Sequence, residues 1–332
     1  MAFEITNEFL ENLVGFIDKN NDSKIKNLFE DVHFADIAEV LDEVSFDEAI
    51  YIIKLLDSEK TSEILTELDE DTREKILENF SAKEIANEVE EMDSDDAADI
   101  IGELSEERQK RVINELEDTE LAEDIKELLS YGDDTAGSLM AKELVKVYET
   151  WTVAGCMRRI RGQAQEVTRV HSIYVVDKED KLVGRLSLKD LIVAKSDQKI
   201  ADISKAKVDA VNVNEDDETV ARIMVKYDLE AIPVVDDNNV LLGRITIDDI
   251  VDLLKEEADK DYQMAAGLTQ DVDSDDSIFE LTKARLPWLF LGLIGGVGAF
   301  IIMEGFQDVF SKYASLFFFT PLIAAMAGNV GV

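Results

Sequence analysis

The side chains in this sequence best suited to chemistry are carboxylates at helical spacing. Asp95 and Asp99 stand at i,i+4, Asp249 and Asp252 at i,i+3, and Glu257 and Asp261 at i,i+4, so on a helix each pair faces one partner. Oxygen pairs of this kind suit a hard divalent cation, because Mg2+ keeps much of its water and needs only one or two carboxylates. Two unit charges about 4 Å apart repel by roughly 4 kcal/mol at an effective dielectric near 20. Acidic faces on two domains would therefore part without a cation and close around one, a population shift driven by differential affinity. The plainer reading of each pair is a solvated helix face. Other chemistries are poorly supplied. One cysteine (Cys156) and two histidines (His33 and His171) provide neither a disulfide framework nor a thiolate or imidazole metal centre. No Ser/His/Asp arrangement, P-loop or His-Glu-x-x-His is present, so no enzyme is expected.

The elements that must position these carboxylates follow from composition and periodicity. Of 332 residues, 74 are acidic and 34 basic, a net charge of −40. That excludes a basic stripe for nucleic acid and favours cations as ligands. Through residues 1–130, apolar residues recur at 3–4 spacing, as in Ile64, Leu65 and Leu68 or Ile100, Ile101 and Leu104, and predict stacked short helices. Polar breaks recur every 11–13 residues, near Ser45, Ser58, Asp69, Ser81, Asp93 and Ser105. Ser45 with Glu48, and Ser81 with Glu84, have capping-box spacing. Residues 131–256 change to β-branched runs split by turns. Two blocks there repeat at an offset of 59, with Ile173/Ile232, Val175/Val234, Gly184/Gly243, Arg185/Arg244 and Asp190/Asp249 among the identities, which predicts a duplicated α/β module.

A long acidic helix and a polar linker (Asp271 to Asp276) lead to the apolar end of the chain. Leu286 to Met303 is uncharged over 18 residues, and Tyr313 to Val332 over 20 more; the first reads as a membrane span and the second as an incomplete one. Lys283 and Arg285 precede the first span, which places that side in the cytoplasm. No secretory signal is visible at the start. The expected localisation is a multi-pass inner (cell) membrane protein with residues 1–285 cytoplasmic.

The segments Ile173-Tyr174-Val175-Val176-Asp177 with Gly184-Arg185-Leu186-Ser187, and Ile232-Pro233-Val234-Val235-Asp236 with Gly243-Arg244-Ile245-Thr246, resemble a pair of CBS domains. Upstream, Tyr131-Gly132-Asp133-Asp134-Thr135-Ala136-Gly137-Ser138-Leu139-Met140 is similar to the lead-in to the CBS pair of MgtE-type magnesium transporters. Asp95-Asp96-Ala97-Ala98-Asp99, Lys226-Tyr227-Asp228-Leu229 and Gly328-Asn329-Val330-Gly331 follow that family's order. The resemblance implies a multidomain chain: an all-α helical superhelix (1–130), a first CBS module (131–198), a second (199–256), a connecting helix and linker (249–280) and the start of an α-helical transmembrane domain (284–332) with two spans, the second incomplete.

What it implies functionally is a homodimer in a lipid bilayer that conducts Mg2+, with a cytosolic part that senses Mg2+ and closes the pore. The implied metal ligands are Glu63, Asp95, Asp99, Glu218, Asp228, Asp249, Asp252, Glu257 and Asp261, with Asn329 lining the pore. Lys260 stands where the family can have a further acidic ligand. Ser187, Asp190, Thr246 and Asp249 match the CBS signature that holds a ribose and phosphates, which implies ATP as a second ligand. Their plainer reading is helix capping. The alternative function is a membrane-tethered sensor of adenine nucleotides that transports nothing.

Overall fold

The computed structural model describes residues 3–164, 167, 169–265, 267–268, 278–319, 322–323 and 326. The chain divides into two units, Met1–Ile250 and Val251–Val332.

The first unit begins with ten helices: α1 (Asn7–Ile17), α2 (Asp22–Phe29), α3 (Phe34–Glu43), α4 (Phe46–Ile53), α5 (Ser58–Glu67), α6 (Glu70–Glu78), α7 (Ala82–Val89), α8 (Ser94–Gly102), α9 (Glu106–Glu115) and α10 (Thr119–Leu128). The N-caps of α3 to α9 are His33, Ser45, Asp57, Asp69, Ser81, Asp93 and Ser105, one every twelve residues. Asp57, rather than Ser58, fills the second break, and its side chain accepts from Lys60 N–H. His33 caps α3 by accepting from Ala35 N–H. Both expected capping boxes form. The same period runs through the core: Leu41, Ile53, Leu65, Leu77, Val89, Ile101 and Ile113 are all buried. Each repeat is too short to bury its apolar face alone, so stacking neighbours completes the core. Thus α3 packs on α5, α5 on α7 and α7 on α9, while α4 packs on α6 and α8 on α10.

Cations stitch successive turns of this superhelix. Arg73 forks onto Glu103 and also donates to the carbonyls of Leu65 and Leu68. Arg108 donates to those of Leu77 and Phe80, and Lys60 to those of Phe29 and Glu30. Orphan carbonyls at helix C-termini are satisfied in this way.

The duplicated module follows. Strands β1 (Val145–Tyr148), β2 (Ile173–Val176) and β3 (Leu182–Leu186) form one sheet in that order; β4 (Val211–Asn212), β5 (Ala231–Val235) and β6 (Leu241–Thr246) form the second. In each, the first pair is parallel and the second antiparallel, with a register shift at Val175/Val176 and again at Val234/Val235. The crossover helices are α11 (Val153–Gln163) and α14 (Asp217–Tyr227), separated by the short α12 (Leu188–Val193) and α13 (Ile200–Ile203). The two hairpin turns bond to each other, Leu182 N–H to Asn239 O at 2.9 Å and Leu241 N–H to Asp180 O at 3.0 Å. Buried Tyr174, Val176, Leu182, Val235 and Leu241 fill the seam between modules. Gly243 lets the chain at Ala141 pair with β6, since a Cβ there would lie 2.6 Å from the Ala141 carbonyl oxygen.

Helix α15 (Ile247–Ala265) crosses the boundary between units. The second unit also holds α16 (Ile278–Gly305), α17 (Gln307–Lys312) and a 3-10 turn over Ala314–Phe319. Within α16, Thr282–Gly305 is long and apolar enough to cross a membrane, with mean hydropathy 2.1 and none of its most apolar stretch buried. Of the expected second span, Ala314–Phe319 is a 3-10 turn and Leu322, Ile323 and Met326 are helical, while residues 320–321, 324–325 and 327–332 lie outside the described residues. Asn329 and the linker Asp271 to Asp276 lie outside the described residues.

Candidate metal centre

Helix α8 starts with an unusual first turn. Its cap is Asp93, and Ser94, Asp95 and Asp96 follow. Ser94 and Asp95 are buried because Ala97, Ala98, Ile100 and Ile101 pull the helix onto the core. The helix N-terminus offsets part of the negative charge gathered there. Ser94 ties this turn to the segment preceding β1: its N–H and Oγ donate to Glu143 at 3.2 and 2.8 Å, and Lys142 N–H donates to Ser94 Oγ at 2.8 Å. Glu143 is thereby brought beside two aspartates. One oxygen each from Asp93, Asp95 and Glu143 lies within 4.8 Å of the others.

The second CBS module closes the group. Asp249 sits in the first turn of α15, where Thr246 N–H and Oγ1 donate to its carboxylate at 3.0 and 2.8 Å. Buried Arg244 on β6 donates through Nη2 to Asp93 at 3.3 Å. Burial, with Glu143 next in effect, pushes the Asp93 carboxyl up to about 6. Burial and the nearby Asp249 raise Asp95 well above the usual carboxylate range. Burial, Asp249 and Asp99 push Asp96 to about 7. Burial also raises Asp249, against the Thr246 hydrogen bonds that lower it. A buried group of oxygen ligands that repel one another fits a divalent cation, which would replace both the repulsion and the bound protons.

Three comparisons bear on identity. The profile of the MgtE intracellular N domain matches residues 32–134, and that of the CBS domain matches residues 136–197 and 200–256. The magnesium transporter MgtE of Enterococcus faecalis is 39% identical over 204 residues, 61% of this chain and 45% of that protein. The MgtE of Bacillus subtilis is 35% identical over 204 residues, with the same coverage. A solved cytosolic domain of the Mg2+ channel MgtE, in complex with ATP, superposes with a TM-score of 0.69 at 31% identity, covering 74% of this chain and 99% of that one. The chain belongs to the MgtE family. The match spans less than half the length of the two MgtE relatives.

Against the MgtE pattern, the structure brings together Asp95, Asp99 and Asp249 of the expected ligands, and exposed Glu63 on α5 lies near enough to raise Asp96. Glu218 and Asp228 are exposed at opposite ends of α14. Glu218 is in the first turn, and Asp228 is its left-handed C-cap at φ 54°, a local backbone role. Asp252, Glu257 and Asp261 lie on α15 in the second unit, where Lys260 stands 2.8 Å from Glu256 and 3.6 Å from Glu257.

Spacing did not reveal Asp93, Asp96, Glu143 or Arg244 as parts of one group. Asp93 was visible as a helix break and Asp96 as a member of the acidic run. Glu143 carried no local signal. Ser187 and Asp190 form a capping box on α12, with Ser187 Oγ 2.7 Å from the carboxylate, and Thr246 N–H and Oγ1 donate to the Asp249 carboxylate in the same way.

Proposed function

We propose that this chain carries the intracellular sensing part and the first membrane helix of a magnesium transporter, with Mg2+ as both cargo and regulator. The observation that carries the reading is the convergence of Asp93, Asp95 and Glu143 to within 4.8 Å, with Asp96 and Asp249 adjoining. Asp93 and Asp95 at the start of α8, Glu143 before β1 and Asp249 at the start of α15 would hold a hydrated Mg2+, whose charge would offset their mutual repulsion. Binding favours the closed arrangement of helical domain and second CBS module because only that arrangement assembles the ligands. Glu63 and Asp99 extend this surface on the helical domain; Glu218 and Asp228 on α14, and Asp252, Glu257 and Asp261 on α15, are further candidate ligands. The α15 helix passes the bound state on to the pore of a homodimer, closing it when internal Mg2+ is high. Residues 1–285 are cytoplasmic.

The test is Mg2+ binding by the full chain in detergent, by calorimetry, with Na+ at matched ionic strength. Saturable binding that the paired substitution Asp95→Asn with Glu143→Gln weakens at least tenfold supports the reading. Equal binding by the native and substituted chains contradicts it.

A second reading, adenine nucleotide at the CBS pair, is favoured by the ATP complex of the related cytosolic domain. Here Ser187 and Asp190 would exchange their mutual hydrogen bond for the ribose. ATP binding lost on Asp190→Ala but retained in the Asp95/Glu143 variant would establish it as a separate site.

A further inference from the structure

Arg244 is the charged residue that joins the helical domain directly to β6. Its side chain is 7% exposed. Nη2 donates to Asp93, 151 residues earlier in the chain, and Nη1 donates to the Arg169 carbonyl oxygen, both at 3.3 Å. Nε is buried without a partner. Its backbone pairs with Ala141 in both directions, at 2.8 and 2.9 Å, two residues before Glu143. It also acts favourably on the Asp249 carboxylate. A buried guanidinium with an unfilled donor is retained at a loss of solvation unless its charge is needed where it stands. Here it stands against carboxylates from two domains whose repulsion otherwise separates them. The equivalent position in the first module, 59 residues earlier, is Arg185, which is only half buried.

We propose that Arg244 is a tethered cation that latches the helical domain to the second CBS module in the absence of a divalent ion. It is a positioning residue: it holds Asp93, and through Asp93 the first turn of α8, next to Glu143 and Asp249. The latch supplies a single positive charge, so it holds the closed arrangement only partly, and a divalent ion completes the closure. The inference builds on the proposed metal centre, but the Arg244–Asp93 contact stands without it.

The experiment measures distances between spin labels at Glu78→Cys and Lys207→Cys in the full chain in detergent; both positions are exposed, and Cys156 is buried. Without divalent cations the native chain shows a short-distance population. Arg244→Gln lowers the ratio of short to long distances about tenfold, as loss of a charge-assisted bond predicts. Added Mg2+ restores the short population in that variant, which a misfolded domain would not permit. Arg244→Lys keeps most of the native ratio, and Arg185→Gln leaves it unchanged. Asp93→Asn retains a helix cap, and in that background Arg244→Gln has little further effect. Equal distances in the native and Arg244→Gln chains without cation overturn the proposal, as does an undiminished effect of Arg244→Gln in the Asp93→Asn background. Opening by Arg244→Gln with no response to Mg2+ in either chain leaves the latch standing and removes the metal centre.

Discussion

Asp96, with its carboxyl raised to about 7, and Asp93, at about 6, bind protons in the folded chain over a range where the unfolded chain has released them. For a carboxylate with a raised folded value, stability falls as pH rises through that window. Without divalent cations, the melting temperature of the full chain is therefore expected to rise on acidification from about pH 7.5 to about pH 5.5. Saturating Mg2+ flattens that slope, because the cation takes the protons' place, and the Mg2+ affinity itself falls several-fold over the same range. Groups lowered by their partners, such as Glu84, Asp190 and Asp236, titrate below this window and do not disturb it. A single-residue test separates a metal ligand from a structural acid. Asp95→Asn removes a carboxyl whose ionisation burial and Asp249 oppose, so it is expected to stabilise the cation-free chain by about 1 kcal/mol while weakening Mg2+ binding roughly tenfold. A variant that loses stability and keeps its Mg2+ affinity would mark Asp95 as a packing residue. The i,i+4 spacing of Asp95 and Asp99 made that face legible in the sequence. Glu143 and Arg244 were illegible because their partners lie 49 and 151 residues away, and only the folded lead-in to β1 brings them to α8.

The helical repeat shows the same division at the level of elements. Breaks every 11–13 residues gave the helices their starts, because a cap is a local hydrogen bond written in neighbouring residues. Ser81→Ala is expected to cost about 1 kcal/mol of stability, read by chemical denaturation, since Ser81 Oγ accepts from Glu84 N–H. The duplication at offset 59 predicted two modules, and the structure repeats further details between them: register shifts at matching positions and left-handed turn residues at Asp180 and Asn239. What the pattern did not supply is the contact between lead-in and sheet. Gly243→Ala tests it: the new methyl would meet the fixed carbonyl of Ala141, and a loss of about 1–3 kcal/mol is expected. An unchanged denaturation midpoint would mean that the lead-in does not pair with β6. Tyr313 to Val332 satisfies length and hydropathy, and its first part, Ala314–Phe319, is a 3-10 turn.

At the scale of the whole molecule, a charge of −40 accompanies, among the described residues, one helix long and apolar enough to cross a membrane, Thr282–Gly305, with none of its most apolar stretch buried. Exposed Phe290, Leu293, Ile294, Phe300 and Ile301 call for lipid around that helix. The full chain is expected in the membrane fraction after alkaline carbonate washing, whereas release by that wash would contradict a spanning helix. The acidic surface calls for cations, and family membership agrees with magnesium as the cation concerned. The most direct measurement of the central claim is a Mg2+ titration of the full chain in detergent, following the distance between labels at Glu78→Cys and Lys207→Cys, with Na+ at matched ionic strength. A shift toward the short distance with Mg2+, absent with Na+ and lost in the Asp95→Asn, Glu143→Gln chain, is the expected result. An equal response to Na+, or no response to either ion, would contradict a magnesium sensor at α8.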